Sequence, residues 1–184
     1  QQNQVSVGDE ETFFASDIPS RTRYQTNATV EAVTSNATIY IEGGVDNNPN
    51  INDEDVDQIE AAFENTVRPE LNSQFGTWND YNNNGRITIL VLNIPGNYGG
   101  YHFPGDYFSQ SNFAASNERD MVYMNELYPI DSNQGFNETL TQEVQHAINF
   151  NLDGADPTDT PENWLDVRIE AGEQAFPGEP AEPR

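Results

Sequence analysis

The chain has 184 residues, 31 acids against 7 basic residues, a formal net charge of −24 and no cysteine. That length suits one domain with a sizeable core. The charge excludes binding to nucleic-acid phosphates and opposes anionic membrane surfaces, and the missing cysteine excludes disulfides and thiolate metal sites. All seven basic residues are arginine, which points to a protein working in brine or beside divalent cations, where salt screens self-repulsion. No apolar run approaches the roughly 20 residues that span a bilayer. Gln1 in place of Met reads as a start left by leader removal. With sequons at Asn27, Asn36 and Asn137, it predicts an exported, glycosylated, extracellular or cell-surface protein.

In chain order, "YQTNATVEAVTSNATIYIEGG" predicts two strands turning at Ser35-Asn36 and stopping at Gly43-Gly44. "NINDEDVDQIEAAFENTVRP" carries Val56, Ile59, Phe63 and Val67 at helical spacing, with Asn52 or Asp53 as N-cap and Pro69 as the stop or bend. "RITILVL", Arg86 to Leu92, reads as a strand buried on both faces. "NIPGNYGGYHFPGDYF" is too rich in Gly and Pro for regular structure. "MVYMN", 121–125, is another short strand, and Asn137 caps a helix running to about Asn151. A last helix is expected over Glu162–Ala175, before the Pro-rich tail 177–184.

The helix around "TLTQEVQHAINF" has two sides. At 100° per residue, Leu140, Val144, Ala147 and Ile148 form an apolar stripe, while Gln142 and His146 lie together opposite, with Glu143 on the flank. Gln-Glu-x-x-His differs by one residue from His-Glu-x-x-His, in which two imidazoles bind zinc and the Glu activates water.

Together with "FFASD", "DEDVDQIEAAFENTVRPELNSQFG", "DYNNNGRITILVLNI", "GGYHFPGDYF", "SNERDMVYMN" and "ENWLDVRIEAGEQ", this stretch resembles the hyicolysin-type neutral zinc metallopeptidases, gluzincin-like exported proteins. The resemblance runs from about residue 12 to 176. It implies metal ligands at Gln142, His146 and Val167, with Glu143 as general base. Gln is a weak neutral donor and Val cannot coordinate, whereas zinc prefers imidazole, thiolate and carboxylate. Two arrangements stay open: a degenerate site in which Glu143 is a vestigial base, and a rescued zinc site of Gln142, His146 and Glu170, the last one turn beyond Val167. Chains of the family also continue well past this point, whereas only Pro177 to Arg184 follow here. If nothing else follows, the lower wall of the cleft is missing.

"DYNNNGR" has the Asp-x-Asn-x-Asn-Gly form of a calcium loop. Asp80, Asn82 and Asn84 would give side-chain oxygens, Gly85 the turn and Arg86 a backbone carbonyl. Its twelfth position is Val91, so a closing acid must come from elsewhere, with Asp55, Asp57 and Glu64 as candidates. The same residues also suit a plain Asn-rich turn. Tyr98, Tyr101, His102, Phe103, Tyr107 and Phe108 form either a contact surface or a loop folded over the core by its own aromatics.

The sequence thus predicts one α+β, zincin-like domain over 1–176, β-rich to 45, mixed over 46–135 and helical over 136–176. A mostly β N-terminal sheet plus helix should precede the active-site-type helix and a C-terminal helix. The expected function is non-catalytic, an exported pseudopeptidase with a structural, surface, assembly or binding role toward a protein or cell-surface partner, calcium being its possible cofactor. The alternative is a secreted metalloendopeptidase with a Gln/His/Glu metal site.

Overall fold

In the computed structural model, residues 5–128, 130 and 135–153 are described. Strand-favouring Thr, Val, Ile and Tyr residues between Glu10 and Glu42 form a three-strand antiparallel meander: β1 (Glu10–Asp17), β2 (Thr22–Val33) and β3 (Ala37–Glu42). The register of β2 on β3 slips between Val30 and Ala32, an irregularity of the kind that sharpens strand twist. Helix α1 (Asp53–Ala62) opens with a capping box between Asn52 and Asp55.

Pro69 does not stop this helix. A π-turn over Phe63–Val67 comes first, with the Arg68 amide bonded to the Phe63 carbonyl, and α2 (Arg68–Phe75) follows with Pro69 in its first turn. The helix thus runs through Pro69, whose missing N–H cannot serve the preceding turn, with the wider π-turn directly before it. β4 (Ile87–Leu92), β5 (Gly100–Tyr101) and β6 (Met121–Asn125) complete the strands, and α3 spans Gly135–Asp153. Asn137 lies inside α3 rather than capping it.

The strands join into one six-stranded sheet in the order β1-β2-β3-β4-β6-β5. β3, β4 and β6 are mutually parallel at its centre, and the flanking pairs are antiparallel. Alternate residues of the central strands serve two cores. Ile39, Ile41, Ile89, Val91, Val122 and Met124 meet the helices through Ile59, Phe63, Leu140, Val144 and Ile148. Tyr40, Leu90, Leu92 and Tyr123 meet Phe13, Val30, Tyr101 and Phe103 on the other face. Burial on both faces explains the unbroken apolar run of β4.

This topology corrects the expected α+β, zincin-like, helix-rich architecture. The described residues are mostly a curled mixed sheet, a half-barrel with few helices. Helical stripes are visible locally in a sequence, whereas the pairing that unites six short strands is non-local and leaves no periodic mark. The C-terminal helix expected over Glu162–Ala175 and the tail 177–184 lie outside the described residues.

Side chains pin the curl. The Ser16 amide of β1 donates to Tyr101 Oη of β5 at 2.8 Å, joining the sheet's two edge strands. Beside it, Arg23 Nη2 reaches Asp106 Oδ1 and the Ala115 carbonyl, each at 3.0 Å, and the Phe14 carbonyl at 3.1 Å. The Tyr123 hydroxyl donates to Asp106 Oδ2 at 2.5 Å. Asn117 closes the knot, its backbone amide on Asp106 Oδ1 and its side chain exchanging hydrogen bonds with the Phe14 backbone. Arg23 also lies over the Phe103 ring, 4.0 Å from its centroid.

Candidate functional site

On α3, Leu140, Val144, Ala147 and Ile148 are buried in the helix-side core. Gln142 is exposed, His146 half-buried and Glu143 only 6% exposed. Burial pushes the Glu143 carboxyl up to about 8, and a hydrogen bond from the His102 backbone amide offsets part of that. With no cation beside it, Glu143 is therefore mostly protonated at neutral pH. A protonated carboxyl cannot take a proton from water.

The described donors alone do not make a zinc set. Among the described residues, no three His, Cys, Asp or Glu side chains converge into a group able to hold a metal ion. His146 offers one imidazole and Gln142 a neutral amide; Val167 and Glu170 lie outside the described residues. Zinc sites draw on three or four imidazole, thiolate or carboxylate donors, and the described ligand positions on α3 supply one imidazole and one amide.

The Asp80–Arg86 loop has a definite internal order. Asp80 Oδ1 accepts from the Asn84 amide at 3.0 Å and Oδ2 from the Gly85 amide at 2.8 Å. Asn82 Oδ1 accepts from the Asn84 amide and Asn84 Oδ1 from the Arg86 amide, at 3.2 and 2.7 Å. Asn83 and Gly85 hold φ of 55° and 75°, the left-handed region that Asn and Gly tolerate best. The Arg86 side chain turns away, its Nε donating to the Thr34 carbonyl at 2.7 Å. Asn82, Asn83 and Asn84 form one wall of a 480 Å³ cavity whose other walls include Glu11, Tyr40 and Arg119.

None of the three acids considered as closers is shown serving this loop. Glu64 accepts from Thr34 Oγ1 and from the Asn36 amide and Nδ2. Asp55 caps α1, and Asp57 lies exposed on that helix. The acid that does reach the loop is Asp120, directly before β6. It is fully buried, with Oδ1 accepting from the Tyr81 amide at 3.2 Å and Oδ2 lacking a hydrogen-bond partner. Burial raises its carboxyl to about 7 and the Asp80 charge adds to the rise, while the Tyr81 amide and the Trp78 side chain lower it. Its only sequence signal is an acid abutting a strand buried on both faces.

Two other networks have no motif. Arg23 and Asp106 form the buried ion pair of the sheet closure, and Glu126 is 7% exposed while accepting from Asn48 Nδ2 and Asn50 Nδ2 at 2.6 and 2.9 Å. The aromatic loop folds onto the molecule. Tyr101, His102 and Phe103 are buried, and the Tyr107 ring lies 4.9 Å from Phe150 of α3. Of the sequons, Asn27 is exposed on β2, Asn36 spends its side-chain nitrogen on Glu64 at 2.7 Å, and Asn137 is half-buried on α3.

No family model matches the chain. A neutral metalloprotease of Staphylococcus hyicus is 32% identical over 133 residues, covering 63% of this chain. The chain spans 29% of the length of that relative. Among the described residues, no helix is long and apolar enough to cross a membrane. Over the matched part of its sequence, the chain is metallopeptidase-like.

Proposed function

We propose that this protein is an exported, metallopeptidase-derived chain that does not cleave peptides, and that it serves a structural or binding role toward a protein or cell-surface partner. The observation that carries this reading is Gln142, an exposed neutral amide on α3 one turn before His146. Beside it Glu143, in the general-base position, is buried, and burial favours its protonated form when no cation is near. Gln142 stands where the first imidazole is needed, and an amide donor beside one histidine does not retain zinc strongly enough to lower the pKa of a bound water to about 7. The partial likeness to a neutral metalloprotease supports the ancestry.

The test is restoration. The parent and the double variant Gln142→His, Val167→Glu are purified from zinc-supplemented medium, then compared for zinc content by mass spectrometry and for casein cleavage. The parent should carry no stoichiometric zinc and cleave nothing, whereas the double variant should gain zinc. Zinc-dependent cleavage by the parent would overturn the reading, and its loss in Glu170→Ala would identify the third ligand.

A further inference from the structure

We propose that the Asp80–Arg86 loop and Asp120 together form a calcium site, with Asp80, Asn82, Asn84 and the Arg86 carbonyl on one side and the Asp120 carboxylate closing the other. Calcium takes six to eight oxygens in flexible geometry. The loop presents side-chain oxygens at alternate positions, and each is oriented by a backbone amide through one lone pair. A carboxylate or amide oxygen keeps a second lone pair for a cation. Val91, at the position where such loops carry their last acid, is buried in the core and brings no oxygen.

Asp120 is the independent observation. Its Oδ2 is buried without a hydrogen-bond donor, an arrangement native proteins rarely leave uncompensated. Its Oδ1 holds the amide of Tyr81, the residue after Asp80, so the carboxylate is fixed against the start of the loop. Asp80 and Asp120 hold neighbouring amides of the same loop, Asp80 those of Asn84 and Gly85 and Asp120 that of Tyr81, and the ion pairs Arg23–Asp106 and Arg119–Glu11 do not involve either aspartate. Two neighbouring carboxylates with no cation between them repel. A divalent ion removes the repulsion and satisfies the orphaned oxygen together. An all-oxygen donor set of carboxylates, amides and a carbonyl selects a hard cation. This site does not depend on the reading of α3, since zinc content tests one and calcium affinity the other.

The experiment uses the full chain, stripped with EDTA and titrated with calcium alone by calorimetry, beside Asp120→Asn and Asp80→Ala. Asn at 120 keeps an acceptor for the Tyr81 amide, so its fold in EDTA should persist, as checked by circular dichroism. The parent should bind calcium, Asp120→Asn should bind at least tenfold more weakly, and Asp80→Ala should not bind measurably. In EDTA the Asp120→Asn protein should melt at or above the parent, and in calcium below it, a crossing that a purely structural aspartate would not give. Terbium supplies a readout independent of stability: excitation of Trp78 should sensitise its emission in the parent and far less in Asp120→Asn. A parent that neither binds calcium at millimolar concentration nor sensitises terbium overturns the proposal. So does an Asp120→Asn variant that binds calcium as tightly as the parent.

Discussion

Asp106 and Asp120 are both fully buried, both lie on the stretch that leads into β6, and their surroundings are opposite. Asp106 has an arginine, a tyrosine hydroxyl and a backbone amide on its two oxygens. Asp120 has the Tyr81 amide on Oδ1 and help from the Trp78 side chain, but Oδ2 has no hydrogen-bond partner. Burial alone raises both carboxyls, but Arg23 opposes the rise at Asp106, whereas Asp80 adds to it at Asp120. A buried acid whose donors are supplied within the fold is architecture. One whose donors are missing is a place where something else binds, or where the proton stays on.

The sharpest way to break this contrast is to remove the partnered acid. Asp106→Ala leaves Arg23 charged and buried, which should cost about 3–5 kcal/mol, measured by urea unfolding. A loss below 1 kcal/mol would mean that the sheet closure is not held by this pair.

Glu143 belongs with Asp120, as a buried acid whose protonated form the fold prefers. Its folded value of about 8 lies above the unfolded value of roughly 4.3. Between those limits the folded state binds more protons, so stability falls as pH rises from about 4 to about 8. Glu143→Gln mimics the protonated acid and should remove that share of the fall, a gain of up to about 5 kcal/mol at pH 9. Parallel thermal melts of parent and variant from pH 4 to 9 check it; superimposable curves would show that Glu143 is not the titrating group.

Glu64 lies between the extremes, nearer the surface but fully hydrogen-bonded. Partial burial works to raise its carboxyl, yet hydrogen bonds from Thr34 and Asn36 bring it below the usual carboxylate value. Glu64→Ala should therefore cost about 1–2 kcal/mol at neutral pH and less in acid, once the folded carboxyl has also taken up its proton. An equal loss at neutral and acid pH would assign the effect to packing.

The smallest effect expected is from salt. Screening acts on the surface excess of acids and leaves buried pairs nearly untouched. Raising NaCl from low to molar concentration should add about 1 kcal/mol, a rise of roughly 2–4 °C in Tm, in the parent and in Asp106→Ala alike. A flat melting temperature would remove the argument for adaptation to brine.

What was legible in the sequence was local. The apolar run of β4, the short strand at Met121–Asn125, the N-cap Asn52 as one of two candidates and the apolar stripe of α3 each show within a few residues. The dominance of the sheet did not show, because β3, β4 and β6 pair across long insertions. The Asp80 loop is readable from six residues, but Asp120 lies 39 positions from the Tyr81 amide that holds it. Pro69 misleads for a related reason. The π-turn that accommodates it is a backbone adjustment with no composition of its own.

The side-chain stitch between the two edges of the sheet also sets an order of events as the chain is made. The β1–β2–β3 meander can pair as soon as Glu42 is free, but the groups that enclose Arg23 and Phe14 come at Asp106, Asn117 and Tyr123, with sequence separations of 83, 103 and 109. Contacts that distant make folding slow. Until they form, Phe13 and Tyr40 present an uncovered aromatic face to water. In a chain made from its N-terminus the meander cannot be sealed before Tyr123 emerges, so chaperone capture of nascent chains shorter than this should target the Phe13–Tyr40 face.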